Sequence, residues 1–128
     1  MTDTVKETEM TEYVVLLMGD AERWWNLSEE ERRAGYGAHE KFSAQLVERG
    51  HRITGGAELH RASEARTIAP HATTVTEGPW AETREQVGGF YVVESADLDD
   101  LLECCLLLAA TGDAVEVRRC VQPEERAS

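Results

Sequence analysis

The side chain best suited to acid–base chemistry in this sequence is His39. A histidine has an ordinary pKa of about 6.5, so it can take or give a proton at neutral pH. His39, Phe42 and Leu46 are three and four residues apart, which puts them on one face of a helix. We therefore expect His39 to point toward the sheet that this helix covers. The alternative is a buried histidine that bonds a backbone carbonyl and takes no part in a reaction.

Asp20 is the carboxylate that we pair with His39. It follows the apolar run YVVLLM at 13–18 and Gly19, so it lies where a central strand ends and side chains can emerge into a cleft. A carboxylate bonded to an imidazole fixes its tautomer and raises its basicity. Such a pair can support proton transfer, elimination or isomerisation, and we predict that it needs no cofactor.

A second group of polar residues lies in the segment TEGPWAETREQVGGFYVV at 76–93, which turns at Gly-Pro and then enters an apolar strand. The substrate-binding candidates in this segment are Glu77, Trp80, Glu82 and Arg84. The alternative is a solvated loop whose surface ion pairs contribute about 0–1 kcal/mol each, with Trp80 filling the core.

No pattern of metal ligands accompanies these residues, and we predict no metal. His60 and His71 could join Glu58 around an ion, but their spacing matches no known site. The spacing of the cysteines fits neither a zinc site nor a disulfide framework: Cys104, Cys105 and Cys120. They are typical of small buried apolar side chains in a reducing, cytoplasmic protein.

The composition is that of one soluble globular domain. A chain of 128 residues is too short for two such cores, and its net charge of −12 disfavours nucleic acid, which needs clustered Lys and Arg. No apolar run approaches the roughly 20 residues that span a bilayer. We expect a disordered tail at 1–11, the domain at 12–121 and a polar tail at 122–128.

The pattern of caps and apolar runs predicts an α+β fold. Ser28 and Glu31 form a capping box that begins a helix, Gly50 ends it, and Asp97 caps a second helix. The predicted strands are 13–18, 51–59, 65–69, 73–76, 89–94 and 114–121, and the predicted helices are 28–49 and 98–111. Without the short hairpin 65–76, the order is the ferredoxin-like βαββαβ. Two helices cover one sheet face, so we expect a homodimer through the other.

The segment EGPWAETREQVGGFY at 77–91 resembles the signature of the YCII-related proteins, in particular their DGPF-domain branch. Other matches follow in order: LMGD at 17–20, AHEKF at 38–42, GGAEL at 55–59 and VEVR at 115–118. The chain departs from the usual Asp-Gly-Pro-Phe, since Glu77 and Trp80 are larger. The substrate of any relative is therefore a poor guide to the substrate of this chain.

The resemblance implies a dimeric α/β-barrel built from ferredoxin-like subunits. It also implies an active-site His and Asp, which map to His39 and Asp20. Some relatives are lyases or dehydrochlorinases of small cyclic compounds, and some are linked to sigma factors. Our leading hypothesis is a small cofactor-independent enzyme acting on a small organic molecule. The alternatives are a non-catalytic dimeric ligand-binding or regulatory module, linked to a sigma factor, and a scaffold that binds only a partner.

Overall fold

The computed structural model describes residues 9–80 and 85–126 of the chain. Its strands are β1 (Thr11–Asp20), β2 (Arg52–Glu58), β3 (Arg66–Thr67), β4 (Thr76–Glu77), β5 (Glu85–Ser95) and β6 (Ala114–Arg119). Its helices are α1 (Ala21–Trp25), α2 (Glu29–Glu48), α3 (Leu98–Ala109) and α4 (Pro123–Arg126), with a 3₁₀ turn at Ala62–Glu64. Among the described residues, no helix has the length and apolar character that crossing a membrane requires.

The main sheet is antiparallel throughout, with the strand order β2-β5-β1-β6. This order, with α2 and α3 as the connecting helices, is the ferredoxin-like arrangement that the sequence predicts. The predicted insertion is confirmed as well, because β3 pairs with β4 in a small sheet of their own. β1 and β5 are longer than expected and form the centre of the sheet.

The helix boundaries follow the caps that the sequence shows. At the start of α2, Ser28 Oγ accepts a hydrogen bond from the backbone N–H of Glu31, and the Glu31 carboxylate accepts one from the N–H of Ser28. Just beyond the other end, Gly50 has a φ of 89°, a conformation that stops a helix. The Asp97 carboxylate caps α3 by accepting from the N–H of Asp100.

The core lies between α2, α3 and one face of the sheet. Its buried members are Tyr13, Val15, Leu17, Phe42, Leu46, Val93, Leu101, Cys104, Cys105 and Leu108. Two leucines of α3 stay outside this core, since Leu98 and Leu102 are 39% and 42% exposed. The buried stripe instead runs through Leu101, Cys104 and Leu108, and Leu102 lies about 100° around the helix from Leu101.

The cysteines of α3 belong to this core, as predicted. Cys104 is fully buried and Cys105 nearly so, while Cys120 is half-buried. Burial raises the pKa of the Cys105 thiol to about 11 and also raises the pKa of Cys104. Both thiols therefore stay protonated and unreactive at neutral pH.

The other face of the sheet carries apolar side chains that the helices do not cover. Leu16 pairs with Phe90 and Val14 with Val92, and all four are only partly buried. Met18 continues this row and is also partly buried. An apolar sheet face of this kind is typical of a surface that binds another molecule.

His51 forms a buried clamp that sequence reasoning missed. Its Nε2 lies 2.7 Å from Asp100 Oδ2 and its Nδ1 lies 2.9 Å from Ser95 Oγ. The Ser95 hydroxyl donates to the Asp97 carbonyl, so toward His51 it can only accept, as can the carboxylate. Through these two contacts, His51 ties the start of β2 to α3. A lone histidine at the start of a strand gives no sign of this.

Candidate functional site

A cavity of about 700 Å³ lies between α1, the middle of α2 and the ends of strands β1, β2 and β5. Its aromatic side chains include Trp24, Trp25, Tyr36 and Tyr91. Its charged and titratable lining consists of Asp20, Arg23, Glu31, His39, Glu58 and Asp113. A cavity of this size, largely apolar with a few converging polar groups, is typical of sites for small organic molecules.

His39 is in the wall of this cavity, half-buried on α2. Its Nδ1 lies 2.7 Å from the hydroxyl of Tyr91, which projects from β5. Tyr91 is in turn held by the ring of Phe42, whose centroid is 5.1 Å away. The prediction that His39 and Phe42 share the sheet-facing side of the helix is confirmed. The bond to a backbone carbonyl that we considered as an alternative is replaced by one to a side-chain hydroxyl.

The surroundings keep His39 neutral at neutral pH. Burial lowers the pKa of His39 below its usual value, and the carboxylates of Asp113 and Glu58 act in the opposite direction. Because Nδ1 is bonded to the Tyr91 hydroxyl, Nε2 is the nitrogen left for a ligand. A hydroxyl can accept or donate, so Tyr91 can hold the tautomer in which Nε2 is unprotonated.

Asp113 is the site residue that sequence reasoning missed. It lies in the turn between α3 and β6, where burial raises the pKa of its carboxyl while Arg23 and His39 lower it. Its carboxylate rests against Gly19 in β1, and a Cβ at Gly19 would collide with Asp113 Oδ1. In the sequence, Gly19 before Asp20 and Gly112 before Asp113 were the available signals of these two loops. Only the fold brings those two loops together.

Asp20 ends β1, as predicted, and lines the same cavity as His39. Its Oδ1 caps the short helix α1 by accepting from the N–H groups of Glu22 and Arg23, each at 3.1 Å. Among the described residues, no hydrogen bond joins Asp20 to His39. Asp20 is therefore beside the histidine in the cavity, but the carboxylates that influence the His39 pKa are Asp113 and Glu58.

Glu58 organises a second part of the cavity lining. Its carboxylate accepts from Trp24 Nε1 at 3.2 Å and from the Tyr36 hydroxyl at 3.0 Å. The rings of Trp24 and Tyr36 meet edge to face, with centroids 5.3 Å apart. Gly35 makes this possible, because a Cβ there would lie 2.8 Å from the Trp24 ring.

The residues expected from the 76–93 segment lie elsewhere. Glu77 is exposed in β4, opposite Arg66, and Trp80 is 68% exposed. Neither lines the cavity of His39. The N–H of Gly78 donates a hydrogen bond to the carbonyl of Ala65, and the Thr67 hydroxyl donates one to the carbonyl of Gly78. These bonds hold the turn against the inserted hairpin. Glu82 and Arg84 lie outside the described residues.

One cluster among the described residues has the composition of a metal site. His51, Asp100 and Cys104 place their potential ligand atoms within 4.8 Å of one another. An ion there would have to replace the proton between His51 and Asp100 and compete with Arg49, whose Nη1 lies 3.0 Å from Asp100. Burial also raises the pKa of Cys104, which disfavours the thiolate that metals bind. These contacts favour a hydrogen-bonded clamp.

The carboxylate that acts on His39 can be identified by titration. We expect Asp113→Asn to lower the pKa of His39 further below 6.5, because it removes the charge that favours the imidazolium. Imidazole proton shifts in an NMR pH titration measure this. Asp20→Asn is the control, since Asn caps helices equally well and Asp20 does not act on the His39 pKa. A larger drop in the control than in Asp113→Asn would contradict this assignment.

Comparison with known proteins identifies the relatives of the chain. The profile of the YCII-related domain matches residues 12–120. An uncharacterized protein of Rhizobium meliloti (strain 1021) is 43% identical over 49 residues. That match covers 37% of this chain and 40% of the relative, so the aligned part spans less than half of either protein.

Proposed function

This chain belongs to the YCII-related family, and within that family we propose that it is a cofactor-independent enzyme. It would transfer a proton on a small organic molecule, in an isomerisation or an elimination. The observation that supports this is the position of His39 in the wall of a cavity of about 700 Å³, with its Nδ1 hydrogen-bonded to Tyr91 and its pKa lowered by burial. A base with an unprotonated nitrogen facing a ligand-sized space is what carbon-acid chemistry requires.

In the proposed reaction, Nε2 of His39 takes a proton from a C–H bond next to a carbonyl or an aromatic ring. The electron pair of that bond moves into the substrate as an enolate or its equivalent. The proton then returns to a different atom, which is isomerisation, or a leaving group departs with its electrons, which is elimination. While His39 is an imidazolium, the charges of Asp113 and Glu58 stabilise it.

Tyr91 and Asp20 have supporting roles in this proposal. The Tyr91 hydroxyl holds the ring of His39 in place through Nδ1. Asp20 orders α1, which carries Trp24 into the cavity wall, and its carboxylate adds negative charge to the lining. The position of Asp113 favours it over Asp20 as the charged partner of the histidine.

We also propose that the protein is a homodimer through the open sheet face. The partly buried row on that face, with Leu16 and Phe90 at its centre, is apolar and self-complementary in an antiparallel pairing. Arg52–Glu94 and Arg118–Glu116 ion pairs flank the row on its two sides. Sedimentation would contradict the proposal if it gave a monomer at micromolar concentration.

Hydrogen–deuterium exchange tests the proposed reaction without knowledge of the physiological substrate. A set of small ketones, phenols and amino ketones is incubated with the protein in D₂O, and the loss of C–H signals is followed by NMR. We expect at least one cavity ligand to exchange faster with the protein than in buffer. The proposal is wrong if ligands with acidic C–H bonds bind beside His39 and none exchanges faster.

The second candidate is a module that binds the ligand without changing it. The observation in its favour is the bond between His39 and Tyr91, which gives the histidine a partner without any substrate. In that case His39→Gln would change ligand affinity little and no C–H exchange would be seen. Acceleration that disappears in His39→Gln would exclude this candidate.

A further inference from the structure

Among the residues that the structure describes, no basic side chain forms an ion pair with Glu58. Both of its hydrogen-bond donors, Trp24 Nε1–H and the Tyr36 hydroxyl, are neutral groups. The ion pairs among the described residues involve other carboxylates. Glu58 therefore places a carboxylate in the cavity lining, where it is hydrogen-bonded to two neutral aromatic side chains.

The same two side chains provide aromatic surface next to that charge. The planes of Trp24 and Tyr36 meet at 84°, with centroids 5.3 Å apart. Each face of an aromatic ring attracts a cation through the ring quadrupole, and the Trp ring attracts it most strongly. A carboxylate beside two crossed aromatic rings is the chemistry that recognises an ammonium group.

The rest of the described lining has the same sign of charge. Asp20, Glu31 and Asp113 add three carboxylates to that of Glu58. Arg23 is the only Arg or Lys among the described lining residues, and it is exposed and acts on Asp113. A concave surface with this excess of negative charge concentrates cations and repels anions.

We propose that the cavity binds a small organic cation, a one-ring or short-chain ammonium compound. Its ammonium group would lie against Glu58 and the rings of Trp24 and Tyr36. Its reactive carbon would then lie toward His39, which is three residues from Tyr36 on α2. The position of the reactive carbon rests on the proposed function, but the preference for a cation does not and can be measured by binding alone.

Three probes of nearly equal size isolate the charge of the ligand. Benzylammonium, benzyl alcohol and benzoate are titrated at pH 7 into the wild-type protein by calorimetry or NMR. We expect benzylammonium to bind at least about tenfold more tightly than benzoate, with benzyl alcohol between them. Benzoate binding as tightly as benzylammonium would overturn the proposal.

Two variants locate the preference at Glu58. Glu58→Gln should weaken benzylammonium binding by about tenfold or more and leave benzyl alcohol within about threefold. Glu103→Gln is the matched control, because it removes the same charge from the exposed side of α3. Equal losses in both variants would mean that the cation responds only to the net charge of −12 and would overturn the proposal.

Tyr36→Phe tests whether weaker binding in Glu58→Gln comes from a disturbed structure and not from the lost charge. It removes one bond to Glu58 but keeps the charge and the ring, so the preference for benzylammonium over benzoate should persist. Loss of that preference in Tyr36→Phe, with the fold intact by circular dichroism, would contradict a role for the charge.

Cation binding without C–H exchange would refute only the proposed reaction. Exchange of anionic ligands would refute only the present inference.

Discussion

Replacing His39 with glutamine is expected to slow the C–H exchange of a cavity ligand by about 10²–10⁴-fold, the usual contribution of a general base. Glutamine is similar in length and can still bond the Tyr91 hydroxyl, but it cannot take a proton. The half-buried position of His39 near the surface of α2 makes the variant easy to accommodate. Exchange rates at saturating ligand, measured by NMR in D₂O, give the effect directly.

The matched control for this variant is His71→Asn. His71 is an exposed histidine in a turn with a φ of 65°, a conformation that Asn tolerates. His71 lies outside the lining of the cavity. The cavity ligand should therefore exchange as fast with His71→Asn as with the wild-type protein. A loss of less than about threefold in His39→Gln would remove the general-base role from our proposal.

Gly56→Ala is expected to destabilise the fold by about 2–5 kcal/mol, from backbone strain and overpacking together. Gly56 has a φ of 149°, which side chains rarely adopt. A Cβ there would lie 2.5 Å from the carbonyl oxygen of Phe90 and 3.1 Å from Cα of Tyr91. Backbone atoms in the middle of the sheet cannot move away, so the cost is not relieved. The midpoint of urea unfolding measures it.

The neighbouring glycine provides a control with the same chemical change. A Cβ at Gly55 would lie 3.7 Å from the side chain of Val92, which is an ordinary contact, so Gly55→Ala should be close to neutral. If Gly55→Ala and Gly56→Ala lost similar amounts of stability, the close backbone approach at Gly56 would not be the cause of the destabilisation. Because Gly56 pairs with Tyr91, Gly56→Ala should also disturb the partner of His39.

The fold was predictable because its signals are local. The capping box at Ser28, the αL glycine at position 50 and the cap at Asp97 each fix an element boundary through bonds within four residues. A Gly-Gly pair inside a strand is a local sign of irregular pairing, and the register between β2 and β5 shifts between Ile53 and Gly55. Alternating apolar patterns then leave few ways to assemble the sheet.

The candidate site was only half predictable, because it depends on contacts between distant parts of the chain. The helical spacing of His39 and Phe42 indicated which way the histidine points. Its partner Tyr91 is 52 residues away, and Asp113 reaches the cavity only because β6 lies beside β1. No spacing along the chain encodes those distances.

The 76–93 segment shows the opposite problem. A dense group of polar residues around Gly78 suggested a cavity wall, yet Glu77 and Trp80 are exposed, and Glu77 pairs with Arg66 in the inserted hairpin. Local chemistry cannot tell which side of a loop faces the domain. The orientation of this loop is set by the hydrogen bonds that join Gly78 to Ala65 and Thr67, more than ten residues earlier in the chain.

The buried cysteines of α3 give the protein a built-in reporter of its own unfolding. Thiol reagents attack the thiolate, so Cys104 and Cys105 become reactive only when α3 leaves the sheet and water reaches them. Cys120 is half-buried at the end of β6 and can react after a smaller local opening. The masses of labelled protein over time therefore separate local from global opening in the wild type and in each variant, with no added probe.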